Sequence, residues 1–295
     1  MDVYSRFISE IRTYSHILNE SAFAILMREE PVIRVLYVKE DRIKIEVIMT
    51  DEMRKTNKDY FGYAFAVSSS FLMALNIAAL GHFSWLLGNR MFWFCEHIGP
   101  TGQMEQIFLG SKNGSFPTEK TELTEGEVRN SVIICGSLLR EVEQDFRREY
   151  LKGIIHLEAG FADLVFHREA FANFYRSFEY FMTTRVLKKK RLKNEIKELQ
   201  EGIRSLGLSE DFCEEFRNLY KTRSEQVMHA QRTPKEIDGE DVLKIKVFTD
   251  YALHRYYRSK ADEWSKQRRK HIIGSGFGNS VFSFSPFDQI LGQNS

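Results

Sequence analysis

The chain has 295 residues, of which 43% are hydrophobic and 28% charged, and its formal net charge is +1. That length holds one large domain or two of ordinary size, and the composition describes a soluble globular protein and excludes a disordered one. Cys95, Cys135 and Cys213 are odd in number and scattered, which excludes a disulfide framework or a zinc ligand set and points to a reducing cytoplasm.

The opening stretch MDVYSRFISEIRTYSHIL carries acidic and polar residues throughout, so no signal peptide is expected. Tyr4, Phe7, Ile8, Ile11, Tyr14 and Ile17 recur at helical spacing and predict a helix over 2–29. Two strand-like runs follow, Val32–Val38 and Ile43–Met49, around the turn signal KEDR, and they predict a hairpin. From Tyr60 to Asn89 there is no Asp, Glu, Lys or Arg. By length this stretch could cross a bilayer, but Asn76, His82 and three consecutive serines favour a buried helix pair. Residues 105–110 and 131–136 read as further short strands, separated by the polar loop SKNGSFPTEKTELTEGE.

From Val132 the pattern turns helical. Leu138, Leu139, Val142, Phe146 and Tyr150 define one amphipathic helix connecting the two halves, and four more are predicted at 162–187, 191–206, 209–231 and 239–264. Ser209 is a fair N-cap, and the acids of GEDV suit a helix start at 239. Long helices joined by turns make a bundle, so the fold class is α+β. A mixed α/β domain is expected over 1–150, a helical bundle over 151–271 and a Gly/Ser/Phe-rich tail over 272–295. Residues 152–271 hold 25 Lys+Arg against 19 Asp+Glu, a net of +6, which leaves −5 for the rest. The basic half is where a polyanion would bind. Lys188, Lys189, Lys190 and Arg191, at the first helical connection, and Arg268 and Arg269, beyond the final helix, are candidates to track a phosphate backbone. The competing reading makes both runs solvated helix caps.

The stretch FCEEFRNLYKTRSEQVMHAQ, Phe212 to Gln231, carries the chemistry. Phe212, Phe216, Leu219, Tyr220 and Val227 form one apolar helix face, and Arg223 lies on it. A guanidinium there needs a carboxylate partner such as Glu179 or an anion from outside. His229 follows near the helix end, where Thr233-Pro234 stops the helix and the dipole favours imidazolium. A fixed cation beside a titrating imidazole suits phosphate chemistry. A purely structural alternative pairs Arg223 with a core carboxylate and leaves His229 to cap the helix or meet Glu225. No Gly-rich phosphate loop, GxSxG elbow or HExxH is present, and His156 and His167 read as core or surface histidines.

The pattern R-S-x-x-x-x-H at Arg223–His229 resembles the arginine–four-to-six–histidine signature of the HEPN family. FHREAFANFYRSFEYF, Phe166–Phe181, is similar to the aromatic-rich first long helix of such domains. The resemblance covers about residues 160–262. Five residues separate the pair where four is commonest, and Ser224 stands where asparagine is usual. The longer spacing turns the histidine about 100° further round an ideal helix, so a distorted last turn would be needed for the two to meet. The resemblance implies a bundle of four or five helices, a homodimer and a metal-independent endoribonuclease with no cofactor, acting in anti-phage defence or a toxin system. His229 would be the acid or base at the ribose 2′-hydroxyl and Arg223 the stabiliser of the phosphorane-like transition state. Ser224 would position either the histidine or a phosphate oxygen; from the helix faces and not from the resemblance, Glu179 and Tyr175 would orient Arg223 across the bundle. RNA is then the ligand, a regulatory partner could join it, and the N-terminal region would sense a trigger or hold the bundle inactive. Two other functions compete: a non-catalytic binding or dimerisation module, and a membrane-associated effector acting through residues 60–89.

Overall fold

The structure, a computed structural model, describes residues 7–27, 33–47, 60–85, 94–98, 104–108, 120–140, 145–160, 165–227 and 237–274. For 60–61, 94–98, 104–108, 159–160, 165, 226–227 and 259–274 it describes the backbone alone. The fold is α+β: helices with a small antiparallel sheet. Contacts group the chain into two compact units. One comprises Met1–Trp85, Glu119–Val142 and Leu253–Ser295, and the other Leu86–Thr118 and Glu143–Ala252.

In the first unit, four antiparallel strands stand in the order β3-β4-β1-β5: β1 is Phe7–Thr13, β3 Ile33–Lys39, β4 Arg42–Val47 and β5 Phe83–Trp85. The expected hairpin is present, with Ile33 opposite Val47, Lys39 opposite Arg42 and a bulge between Val35 and Tyr37. The helix expected over 2–29 is replaced by β1, a two-residue strand β2 (His16–Ile17), a 3₁₀ turn Ser21–Phe23 and the short helix α1 (Ala24–Met27). The spacing of Phe7, Ile8 and Ile11 fits either state, and pairing on both edges decides it: Phe7 lies opposite Val47, and Ile11 opposite both Ile43 and Trp85. Ile8 faces away from Ile11 and stays 41% exposed, as strand alternation requires.

The charge-free stretch is one helix, α2 (Tyr60–Ala79), followed by β5, and not a helix pair. By length and composition Gly62–Ala79 could cross a membrane, but 72% of that window is buried inside the fold. The strands and α3 (Glu125–Arg140) cover it. Its polar residues are spent internally. Asn76 donates Nδ2 to the carbonyls of Leu72 and Phe83, each at 2.9 Å, and accepts from Phe83 N at 3.0 Å. Ser68 meets Ser9 of β1 at 2.9 Å. The turn from α2 to β5 runs through Leu80, at φ 48°, and Gly81. A Cβ on Gly81 would lie 2.5 Å from the His16 ring and 2.8 Å from Ser15 Oγ, so only glycine fits. Residues 131–136, expected as a strand, lie inside α3. A capping box starts that helix: Thr124 Oγ1 accepts from Glu127 N at 3.3 Å, and the Glu127 carboxylate accepts from Thr124 N at 2.8 Å. The strand expected at 105–110 is β7 (Met104–Phe108), in the second unit, paired with β6 (Phe94–Ile98). The end of the polar loop supplies β8 (Thr121–Glu122), parallel to β2.

The second unit is mainly helical. The single amphipathic helix expected through 138–150 divides between α3 and α4 (Asp145–Gly160), with 141–144 outside the described residues. Helix α5 (Val165–Phe181) packs along α4 so closely that a Cβ on Gly153 would lie 2.8 Å from the Phe174 ring. Helices α6 (Glu195–Ser205) and α7 (Glu210–Thr222) begin at the caps Asn194 and Ser209, whose side chains accept from Lys197 N and Phe212 N. The last, α8, runs Gly239–Gly274, ten residues beyond the expected end; its residues to Ala252 belong to this unit and those from Leu253 to the first, and Arg268 and Arg269 are part of the helix and do not follow it. Aromatic rings fill the space between α5, α7 and α8: Phe178 lies 5.6 Å from Phe216 and 5.1 Å from Phe248, and Phe212 stacks on Phe248 at 4.0 Å.

In that core sits a sealed ion pair, with Lys246 Nζ 2.6 Å from Asp250 Oδ2 and the side chains 1% and 0% exposed. The buried Tyr150 of α4 donates its hydroxyl to the other Asp250 oxygen. Burial pushes Lys246 down and Asp250 up from their ordinary values, and their mutual attraction opposes both shifts. Removing one partner of a sealed pair orphans the other. Asp250→Ala is therefore expected to cost about 3–5 kcal/mol in urea unfolding, whereas the double change Lys246→Met, Asp250→Leu should recover most of that loss.

Candidate functional site

Ser209 caps α7, and Phe216 and Leu219 bury its apolar stripe. That anchoring carries Arg223 to the end of the regular helix, where Arg223–Val227 form a π-turn. Such wide turns are rare and occur often at functional sites. The stripe places Arg223 against α5, as the sequence indicates, and its side chain is 19% exposed.

The carboxylate that Arg223 meets is Glu195, the first residue of α6. Nη1 donates to Glu195 Oε2 at 3.2 Å, a single contact and not a bidentate fork. The Tyr175 hydroxyl donates to Glu195 Oε1 at 2.9 Å. The guanidinium carbon lies 5.0 Å from the Tyr175 ring centre and 5.8 Å from that of Tyr220. Cation–π attraction and the ion pair together fix the guanidinium. Tyr175 is thus where the sequence reading put it, beside Arg223, and it also holds the carboxylate. Burial raises its phenol far above the ordinary value, reinforced by Glu195.

Glu179 is half-buried one turn after Tyr175 and takes no direct bond to Arg223 among those described. It feels the site through charge: burial, then Glu195, pushes its carboxyl above the ordinary 4.5, while Arg223 pulls it down. Ser224 is half-buried in the π-turn. His229 lies outside the described residues, as does its suggested meeting with Glu225. Glu195 and Tyr220 are the members that sequence reasoning missed. Tyr220 could have been added from its i,i+3 spacing to Arg223. Glu195 stands 28 positions before Arg223, and no local pattern links them.

Lys188, Lys189, Lys190 and Arg191 are all exposed, in the irregular link before α6. Lys189 is tied to Glu198, whose carboxyl that contact, with the Asn194 and Lys193 amides, holds down at about 2. Of Arg268 and Arg269 only the helical backbone is described. His156 accepts at Nδ1 from the Asn173 amide nitrogen, 2.8 Å away, and His167 is 2% exposed, and neither has a described contact with the Arg223 group. Among the described residues, no group of three or more His, Cys, Asp and Glu is placed to hold a metal ion. No family model matches the chain, and no curated protein and no solved structure matches it either.

The site has a pH signature. Because folding raises the Glu179 value, the folded state binds that proton more tightly. This favours folding below pH 4.5 and is lost as pH rises through the folded value. Glu179→Gln should therefore raise Tm at neutral pH, and the gain should shrink when melting is repeated below pH 4.5. Arg223→Ala should cost about 1.5–3 kcal/mol, because it removes the charged donor from Glu195.

Proposed function

We propose that the Arg223 group is the anion-handling half of a metal-independent endoribonuclease site of HEPN type, completed by His229. The observation that carries this reading is a guanidinium that still reaches solvent, held over Tyr175 by one long ion pair at the start of a π-turn. One His229 takes the proton of a ribose 2′-hydroxyl, whose oxygen attacks the adjacent phosphorus. The bond to the 5′-oxygen breaks, that oxygen receives a proton, and a 2′,3′-cyclic phosphate remains. Arg223 holds the charge that gathers on the phosphoryl oxygens, and general acid–base catalysis and electrostatic stabilisation supply the rate.

In this reading residues 151–271 form a HEPN-like bundle that pairs with a second copy, bringing two Arg223–His229 sets into one groove. The exposed Lys188, Lys190 and Arg191 guide the RNA strand. The N-terminal region senses a trigger or holds the bundle inactive, and the protein acts in the cytoplasm in anti-phage defence or as a toxin. A second reading has its own support. The Arg223–Glu195 pair satisfies the cation internally, as a non-catalytic binding or dimerisation module would.

The two readings part on one assay. Purified protein is incubated with total RNA in EDTA, with His229→Ala alongside and sedimentation run on both. The ribonuclease reading expects cleavage leaving cyclic phosphate ends, a dimer, a loss of about 10²–10⁴-fold in the variant and a rate that falls on either side of neutral pH. A folded protein that leaves RNA intact supports the module instead.

A further inference from the structure

The second unit contains the same trio twice: a tyrosine hydroxyl, a carboxylate and a cation. At Tyr150–Asp250–Lys246 the trio is sealed, with cation and carboxylate 1% and 0% exposed and the cation's nitrogen 2.6 Å from oxygen. At Tyr175–Glu195–Arg223 the charged partners are 19% and 23% exposed and touch through one contact at 3.2 Å. A sealed pair cannot exchange partners without exposing a bare charge, but a pair open to water can. Glu195 also stands where a second positive partner is at hand. It is the first residue of α6, where the positive end of the helix favours a carboxylate, and it follows the irregular link 187–194 with Lys188 at φ 53°.

We propose that Glu195 is a resident counter-anion that occupies the place of a phosphodiester on Arg223, so that an RNA phosphate binds by displacing it. This rests on the ribonuclease reading for the identity of the ligand, but not on catalysis. Glu195 is then a latch: it keeps Arg223 oriented over Tyr175 while no RNA is present and sets the threshold of affinity at which RNA engages. Glutamine at this position keeps the hydrogen-bonding shape and removes the competing charge.

The test uses the full-length protein and a fluorescein-labelled, 2′-O-methylated single-stranded oligouridine in EDTA, followed by anisotropy. Glu195→Gln is expected to bind at least about tenfold more tightly than the parent protein, the fold-change of one modest charge interaction. Glu201→Gln, an exposed site on the same helix, makes the same change in net charge and should shift binding less than about twofold, as expected for a solvated surface charge. Adding Arg223→Gln to Glu195→Gln should abolish the gain. If the Gln variant does not fold by circular dichroism, Glu195→Ala takes its place with the same expectation. Equal or weaker binding by the variant overturns the proposal, as does no binding by either protein. Cleavage of unmodified RNA is scored separately. A gain in affinity without any cleavage leaves the latch standing and removes the ribonuclease reading.

Discussion

The second unit depends on the sealed contact among Tyr150, Asp250 and Lys246. A carboxylate and an ammonium without water are tolerable only if each has the other and the remaining lone pairs are filled. Tyr150 fills one of them from 100 positions away in sequence. Helix α4 and the first part of α8 must therefore both be in place before either charge can be buried. Helix α5 is held between those requirements. Ser177 donates to the carbonyl of Phe146 at 2.8 Å, and Thr249 reaches the carbonyl of Phe174 at 3.5 Å. The aromatic rings of α5, α7 and α8 pack closely together, but apolar burial is non-directional. The polar trio fixes which register of those helices is acceptable.

How legible all this was in the sequence varies with the range of the interaction that decides each element. The second-unit helices after α4 were readable because a long 3.6-residue period and local caps such as Ser209 agree. The N-terminal segment was not. Phe7, Ile8 and Ile11 satisfy a helical and an alternating pattern alike, and the choice is made by Ile43, Val47 and Trp85, which lie far along the chain. SVIICG at 131–136 looks β-prone by composition, yet the Thr124–Glu127 box upstream starts a helix through it. That box is a local signal, and it was there to be read. The charge-free stretch shows the opposite case: Asn76 looked like an objection to a membrane span, and its three buried hydrogen bonds show the use the fold makes of it.

The candidate site divides in the same way. That Arg223 would lie on a buried stripe, near Tyr175 and in need of an acid, follows from helical spacing. That the acid is Glu195 and not Glu179 does not. Glu179 lies on the neighbouring helix at a plausible height, but it takes no bond to the guanidinium among those described. Glu195 reaches it because α6 begins at that point, and where a helix begins is set by the Asn194 cap and by Glu198, which accepts from the amides of Lys193 and Asn194 at 2.6 and 2.8 Å.

The charges around Arg223 constrain any chemistry there. One guanidinium facing two ionised carboxylates would carry a net negative charge, and a phosphate would be repelled. Burial works against that outcome by pushing Glu179 towards its neutral form, with Glu195 adding to the push. A less readily ionised Glu179 leaves Arg223 and Glu195 as the two opposed charges in direct contact, at 3.2 Å. Arg223 is held by two rings and by the helix behind it, whereas Glu195 stands at a helix start after an irregular link. Under the proposed displacement of Glu195, the site would gain positive charge only as the carboxylate turns aside, so that an arriving anion and the departure of Glu195 are coupled.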